Sequence, residues 1–327
     1  MRSSAGSRSI CIRKRLWCRG KGIEMPEIDI DKEPTVFILA AASNPYGFPL
    51  GPDLKQQILQ FPDQTVKSVI GENHPATSSI PKFKEALTHG DYGTIDYFLE
   101  RKKCYRELGA FYIVSVIGGC EHQHALFPQR EFYADLFHML DLESESTEIP
   151  PISVVTLNYD RSLEQFLVKN VEYNCSDSHE EHALMKVKKL PIVHPHGSLG
   201  DIESVPYGQV TQSPASVHEA TKRIKIVSDT LEESEEFQKA KKVIANAHNL
   251  IFLGFAYHPT TLNALLSPHN LSDKKVFGTS VRLSPERKSQ TESFFNNAIL
   301  LGGNLPCSDY LDHLKIGRQK LLRKKAK

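Results

Sequence analysis

At 327 residues, with 40% hydrophobic, 24% charged and 9% aromatic residues, the chain has an ordinary globular composition and enough length for one large core or two modest ones. Its formal charge of +1 conceals two basic ends, seven Lys/Arg and one acid over 1–24 and seven and none over 315–327, so that the body between them holds 26 basic against 38 acidic residues, a net −12. An acidic body argues against nucleic acid as a specific partner, the absence of any 18-residue apolar run argues against a membrane span, and six scattered cysteines with no Cys-x-x-Cys pair exclude a zinc ribbon or a disulfide framework and point to a reducing cytoplasm.

Residues 1–24 lack the apolar segment of a secretory signal, and a better-patterned sequence begins at Met25. The expected organisation is a disordered basic extension over 1–24, one folded domain over 25–314 and a basic tail over 315–327. Pro34-Thr35-Val36-Phe37-Ile38-Leu39 predicts a buried first strand. A small-residue turn, Ala40-Ala41-Ala42-Ser43-Asn44-Pro45, follows it. A helix is then expected from Gly51-Pro52-Asp53, with Leu54, Ile58 and Leu59 on one face. Strand, small-residue turn and helix is the order in which backbone N–H groups meet an anion.

Residues 80–142 predict helices over 80–87, 94–100, 105–118 and 131–140, a helical insertion able to wall the site. Val154-Val155-Thr156 is a second apolar run, ending at Asn158-Tyr159-Asp160 and opening a helix over 162–168. A polar stretch over 170–189 predicts a loop. Leu190, Ile192 and Val193 form a third run that ends at His194-Pro195-His196-Gly197-Ser198, with about 20 loop residues after it. A charged helix is expected over 229–247, where Glu232, Glu233, Glu235 and Glu236 precede Lys239, Lys241 and Lys242. Leu250-Ile251-Phe252-Leu253 is a strand ending at Gly254, with a helix over 261–266. A final strand is expected over 275–279 and a final helical region over 286–300. This alternation predicts an α/β fold, a doubly wound, mostly parallel Rossmann-like sheet with a helical insertion after the first strand-turn-helix unit.

Two buried strands that release Asn158 and His196 at their carboxyl ends mark the place where open α/β sheets build ligand sites. An asparagine both donates and accepts, so it can orient a water without charge. A histidine titrates near neutrality and suits general-base work. Structural readings stand beside these. Asn158 and Asp160 are also good turn formers or helix caps, and a histidine beside glycine is often simply a satisfied core group. His194 and His196 share a strand face as a metal pair would, yet no third ligand is evident. His179 and His182, with Glu180 and Glu181, have helical metal spacing in a stretch better explained as solvated surface.

The ordered set Ser43-Asn44-Pro45-Tyr46-Gly47, 94–100, Thr156-Leu157-Asn158-Tyr159-Asp160, His196-Gly197-Ser198 and Leu253-Gly254-Phe255 resembles the bacterial sirtuin-like domains. The likeness is greatest to the zinc-free, NAD-cleaving branch of anti-phage defence that includes the NAD-cleaving subunit of the Thoeris system. The resemblance implies a Rossmann-like domain that consumes NAD as substrate, with no zinc. It implies that Asn158 holds the attacking water and the nicotinamide ribose and that His196 is the base. Asp160 would bind the nicotinamide amide or the adjacent loop, while Ala41, Ala42, Ser43, Gly197 and Gly254 contact the dinucleotide. NAD or an ADP-ribose-like molecule, a protein activator and a second copy of the chain are the expected partners. Hydrolysis of NAD by a defence effector is the leading functional expectation, and a weakened nucleotide-binding or partner-binding module is its rival.

The turn departs from the family pattern of Gly-Ala-Gly-Ala-Ser, since Leu39-Ala40-Ala41-Ala42-Ser43 stands there. An alanine forced to positive φ costs about 1 kcal/mol. Either the turn is shifted by one residue, with Ala40 and Ala42 in the glycine places, or dinucleotide binding is weakened. Without zinc cysteines, the groove that sirtuin deacylases build for an acylated peptide is not expected.

Overall fold

A computed structural model describes residues 27–128, 132–142, 144, 148–174, 179–226, 234–266, 271 and 273–316. The expected 1–24 extension, part of the charged helix and most of the C-terminal tail lie outside these residues. Eight strands are described: β1 (Glu27–Ile28), β2 (Thr35–Leu39), β3 (Ile152–Thr156), β4 (Ile192–Val193), β5 (Asn249–Leu253), β6 (Lys275–Gly278), β7 (Ile299–Leu301) and β8 (Lys315–Ile316). Six of them form one parallel sheet in the order β4-β3-β2-β5-β6-β7. Counted along the chain, this is third-second-first-fourth-fifth-sixth, the doubly wound order whose switch point lies between β2 and β5. β1 pairs separately with β8, closing the described body at its two ends.

Both faces of the sheet are covered, which is why its strands are continuous apolar runs. Alternation sends Phe37 and Leu39 to one core and Val36 and Ile38 to the other. The first core packs under helices that intervene between β2 and β3: α1 (Gly51–Gln60), α2 (Asp63–Ile70), α3 (Pro75–Ser78), α4 (Ile80–His89), α5 (Ile95–Arg101), α6 (Arg106–Gly119) and α7 (Phe132–Met139). Every residue of α6 from Leu108 to Gly118 is buried, so this helix is the core of the insertion rather than its surface. α8 (Ser162–Asn174), α9 (Glu180–Val187) and α10 (Pro214–Arg223) follow β3 and β4. The second core is closed by Phe237, Ala240 and Ile244 of α11 (Glu235–Ala245) and by Leu262 and Leu265 of α12 (Pro259–Leu265). α13 (Pro285–Phe294) and α14 (Cys307–His313) complete the chain.

Several local expectations are corrected. The helix expected from Gly51 is α1, and two further helices, α2 and α3, stand between it and the helix expected at residue 80. The described residues of the 170–189 stretch are largely helical, as the end of α8 and as α9, where Ala183, Lys186 and Val187 are buried. The loop after Ser198 gives way to α10 at Ser213-Pro214, where the Ser213 hydroxyl accepts the Ser216 N–H at 3.1 Å and Pro214 takes the first turn. The 286–300 helix stops at Phe294, since Asn296 and Asn297 adopt φ of 51° and 61° and turn the chain into β7. β6 is therefore not the final strand.

Candidate active site

The switch point is closed by the turn after β2, which runs as a 3₁₀ segment over Ala41–Tyr46. The Ala40 N–H donates to the Leu253 carbonyl at 3.2 Å and the Ala41 N–H to the Gly254 carbonyl at 3.0 Å, which sews the turn to the end of β5. None of residues 40–46 has positive φ. The alanines therefore carry no left-handed strain, because the turn is built differently from a glycine loop. Gly254 takes φ +64°, and a Cβ there would lie 2.8 Å from the Ala42 nitrogen. Its glycine is demanded by the turn itself.

Ser43 is buried at the centre of the polar arrangement. Its hydroxyl accepts the Asn158 amide at 3.1 Å and donates to Asp160. Asp160 also accepts the N–H of Ser162 at 3.1 Å and the Ser162 hydroxyl. Burial lifts the Asp160 carboxyl above the ordinary range, and these serine donors oppose the rise. Asp160 thus caps α8 and holds the turn. Tyr133 Oη shares a 2.8 Å hydrogen bond with Ser162 Oγ, and the Tyr133 N–H donates to Tyr46 Oη at 2.9 Å.

The end of β4 supplies two histidines with opposite characters. His194 Nδ1 donates to the Asn158 carbonyl at 2.9 Å, and its Nε2 faces Glu164 Oε1 at 2.7 Å. Burial works against its charge, but Glu164 and the Asn158 carbonyl outweigh it and raise the His194 pKa. With both ring nitrogens engaged, His194 ties β4 to the end of β3 and to α8. His196 is half-buried, and its ring makes no hydrogen bond among the described residues. Burial lowers its pKa, against the nearby charge of Asp96, which favours the neutral ring a general base needs. Gly197 follows at φ +75°, where a Cβ would fall 1.8 Å from the Arg223 carbonyl oxygen. The His196 carbonyl accepts the Lys225 N–H at 2.8 Å. The His-Gly pair is therefore pressed against the segment after α10, and the glycine has a packing reason.

The structure thus brings Asn158, Asp160 and Ser43 into direct contact, and packs Ala41 and Ala42 against Gly254. The sequence assigns no role to Tyr159 or Asp96, though both lie in the motifs quoted above, and it does not single out Glu164 or the pair Glu121–Arg161. Arg161 is buried, donating from Nε at 2.8 Å and Nη2 at 2.6 Å to the two Glu121 oxygens and from Nη1 to the Val205 carbonyl at 2.6 Å. Gly208 N–H completes Glu121 at 2.9 Å. Arg161 stands beside the Asp160 motif and could have been suspected. Its partner, 40 positions earlier, could not.

Residues 152–298 match the model of the SIR2-like domain family. That span begins with β3 and holds Asn158, Asp160, His196, Gly197 and Gly254. No curated protein matches the chain. Among solved structures, Sir2Tm bound to a propionylated peptide matches with 12% identity and a TM-score of 0.37, over 91% of this chain and 95% of that one. A structure from work on the structural basis of sirtuin substrate affinity matches with 12% identity and a TM-score of 0.35, over the same shares. Among the described residues no group of three His, Cys, Asp or Glu side chains is placed to hold a metal ion, and no helix is long and apolar enough to cross a membrane.

Proposed function

We propose that the protein consumes NAD as a sirtuin-like enzyme, hydrolysing the bond between nicotinamide and ribose. What supports this reading is that the Ser43-anchored Asn158 and His196, whose ring makes no hydrogen bond among the described residues and whose pKa burial lowers, stand at the carboxyl ends of the neighbouring strands β3 and β4. The C1′–N bond breaks with its electron pair passing to nicotinamide, which neutralises the pyridinium. A water oxygen forms the new bond to C1′ and its proton passes to His196. The departing group is already cationic, so no strong acid is needed, only a placed water, a base and exclusion of bulk solvent. The setting proposed is a defence effector that depletes NAD when a partner triggers it, which rests on the family likeness.

A second reading has an observation of its own. The Ser43 hydroxyl is engaged by both Asn158 and Asp160, leaving it little capacity for a ligand. A module that binds ADP-ribose without turnover would fit that closure. Nicotinamide release from NAD by the purified chain, beside Asn158→Ala and His196→Ala, separates the two. Release by the wild type alone supports the enzyme. No release together with a raised melting temperature in ADP-ribose supports the binding module.

A further inference from the structure

We infer that Asp96, carried into the site by the helical insertion, is the positioning residue for His196 and acts through Tyr159. Tyr159 directly follows Asn158, and its buried hydroxyl donates to Asp96 Oδ1 at 2.5 Å. Its ring lies beside the His196 ring, with centroids 6.4 Å apart and planes inclined by 40°. Its carbonyl accepts the Leu199 N–H at 3.0 Å, so the same residue fixes the loop that leaves His196. Tyr159 is therefore held at both ends while its face borders the imidazole.

Asp96 is itself held. It lies in the first turn of α5, where the Thr94 hydroxyl accepts the Tyr97 N–H at 3.2 Å. Thr94 packs on the start of α1, where a Cβ on Gly51 would come within 2.9 Å of Thr94 Cγ2. Among the described residues no salt bridge engages the Asp96 carboxylate, whose Oδ1 is held by the Tyr159 hydroxyl. When His196 takes a proton, the charge of this half-buried carboxylate stabilises the imidazolium. Of the titratable groups on the neighbouring elements, His194 is already satisfied by Glu164 and the Lys225 ammonium is bound to Glu236. Neither competes for the role. Burial alone would push His196 lower, and Asp96 is the charge that opposes it.

The inference rests on His196 as the base, but its test does not need turnover. The His196 ring is followed by NMR through a pH titration in the full chain, with the wild type, Asp96→Asn, Asp96→Glu and Tyr159→Phe compared. Asp96→Asn is expected to lower the His196 midpoint by about 0.5 to 1 pH unit. Asp96→Glu should restore most of it, and Tyr159→Phe should lower it by less, because the carboxylate then turns towards solvent. A folded Asp96→Asn whose midpoint stays with the wild type overturns the inference. If that variant does not fold, an unmoved midpoint in Tyr159→Phe overturns it instead. A chain that shows the shift but never cleaves NAD keeps Asp96 in place and loses the enzymatic reading. One that cleaves NAD with an unmoved midpoint does the reverse.

Discussion

The Asn158 amide and the Asp160 carboxylate meet on one hydroxyl, that of Ser43, with the amide 3.1 Å away. One side chain from the turn after β2 therefore fixes two residues from the end of β3. Replacing Ser43 by Ala leaves a buried carboxylate short of a donor and frees the amide. The expected cost is about 1–3 kcal/mol in urea denaturation, with turnover falling as Asn158 loses its anchor. Unchanged stability would show that Ser162 alone satisfies Asp160.

The rate of nicotinamide release should follow the protonation of His196. Because burial lowers its pKa below about 6.5, activity should rise with pH below that value and level off above it. A His196→Ala chain should lose about 100-fold or more in turnover and the pH limb with it. An unchanged limb would assign the base elsewhere.

His194 should give stability the opposite pH dependence. Its folded pKa is raised, chiefly by Glu164 acting against burial. The stability it contributes is present below about pH 6.5 and is lost as pH rises through the higher folded value. Glu164→Gln should thus be less stable than the wild type at pH 6, and the gap should narrow towards pH 9. Denaturation midpoints measured across that range check the sign.

Breaking the buried pair by Arg161→Met leaves Glu121 charged and mostly unmatched. The expected loss is about 3–5 kcal/mol, read as a lower denaturation midpoint. A loss below about 1 kcal/mol would mean that water reaches Glu121.

Ala41→Gly tests whether the alanine turn is strained. Since residues 40–46 avoid positive φ, glycine relieves nothing and only enlarges the freedom of the unfolded chain. A loss of about 0.5–1 kcal/mol is expected. A gain in stability would place hidden strain at the turn.

The layers of this fold were plain in the apolar runs because both faces of the sheet are buried, so β2, β3 and β5 announce themselves without alternation. β7 was hidden, since its three residues follow a helix and depend on Asn296 and Asn297 for the reversal. α9 and α10 were hidden for a different reason: their buried faces are narrow and polar residues dominate the count. At the site, Asn158 and His196 were legible as strand-end residues. The distinction between the two histidines was not, because it depends on burial and on Glu164, which meets His194 from 30 positions away and has no counterpart bonded to His196 among the described residues.

The strand order has a practical consequence for anyone working with this chain. β2 stands in the middle of the sheet, between β3 and β5, yet it lies more than a hundred residues before the stretch that carries the family likeness. Excising 152–298 would leave two half-sheets with unpaired edges facing each other across a gap, and would discard Ser43 and Asp96 as well. Such a fragment is expected to aggregate rather than fold. The region most easily recognised by comparison is thus not one that can be cut out and studied alone.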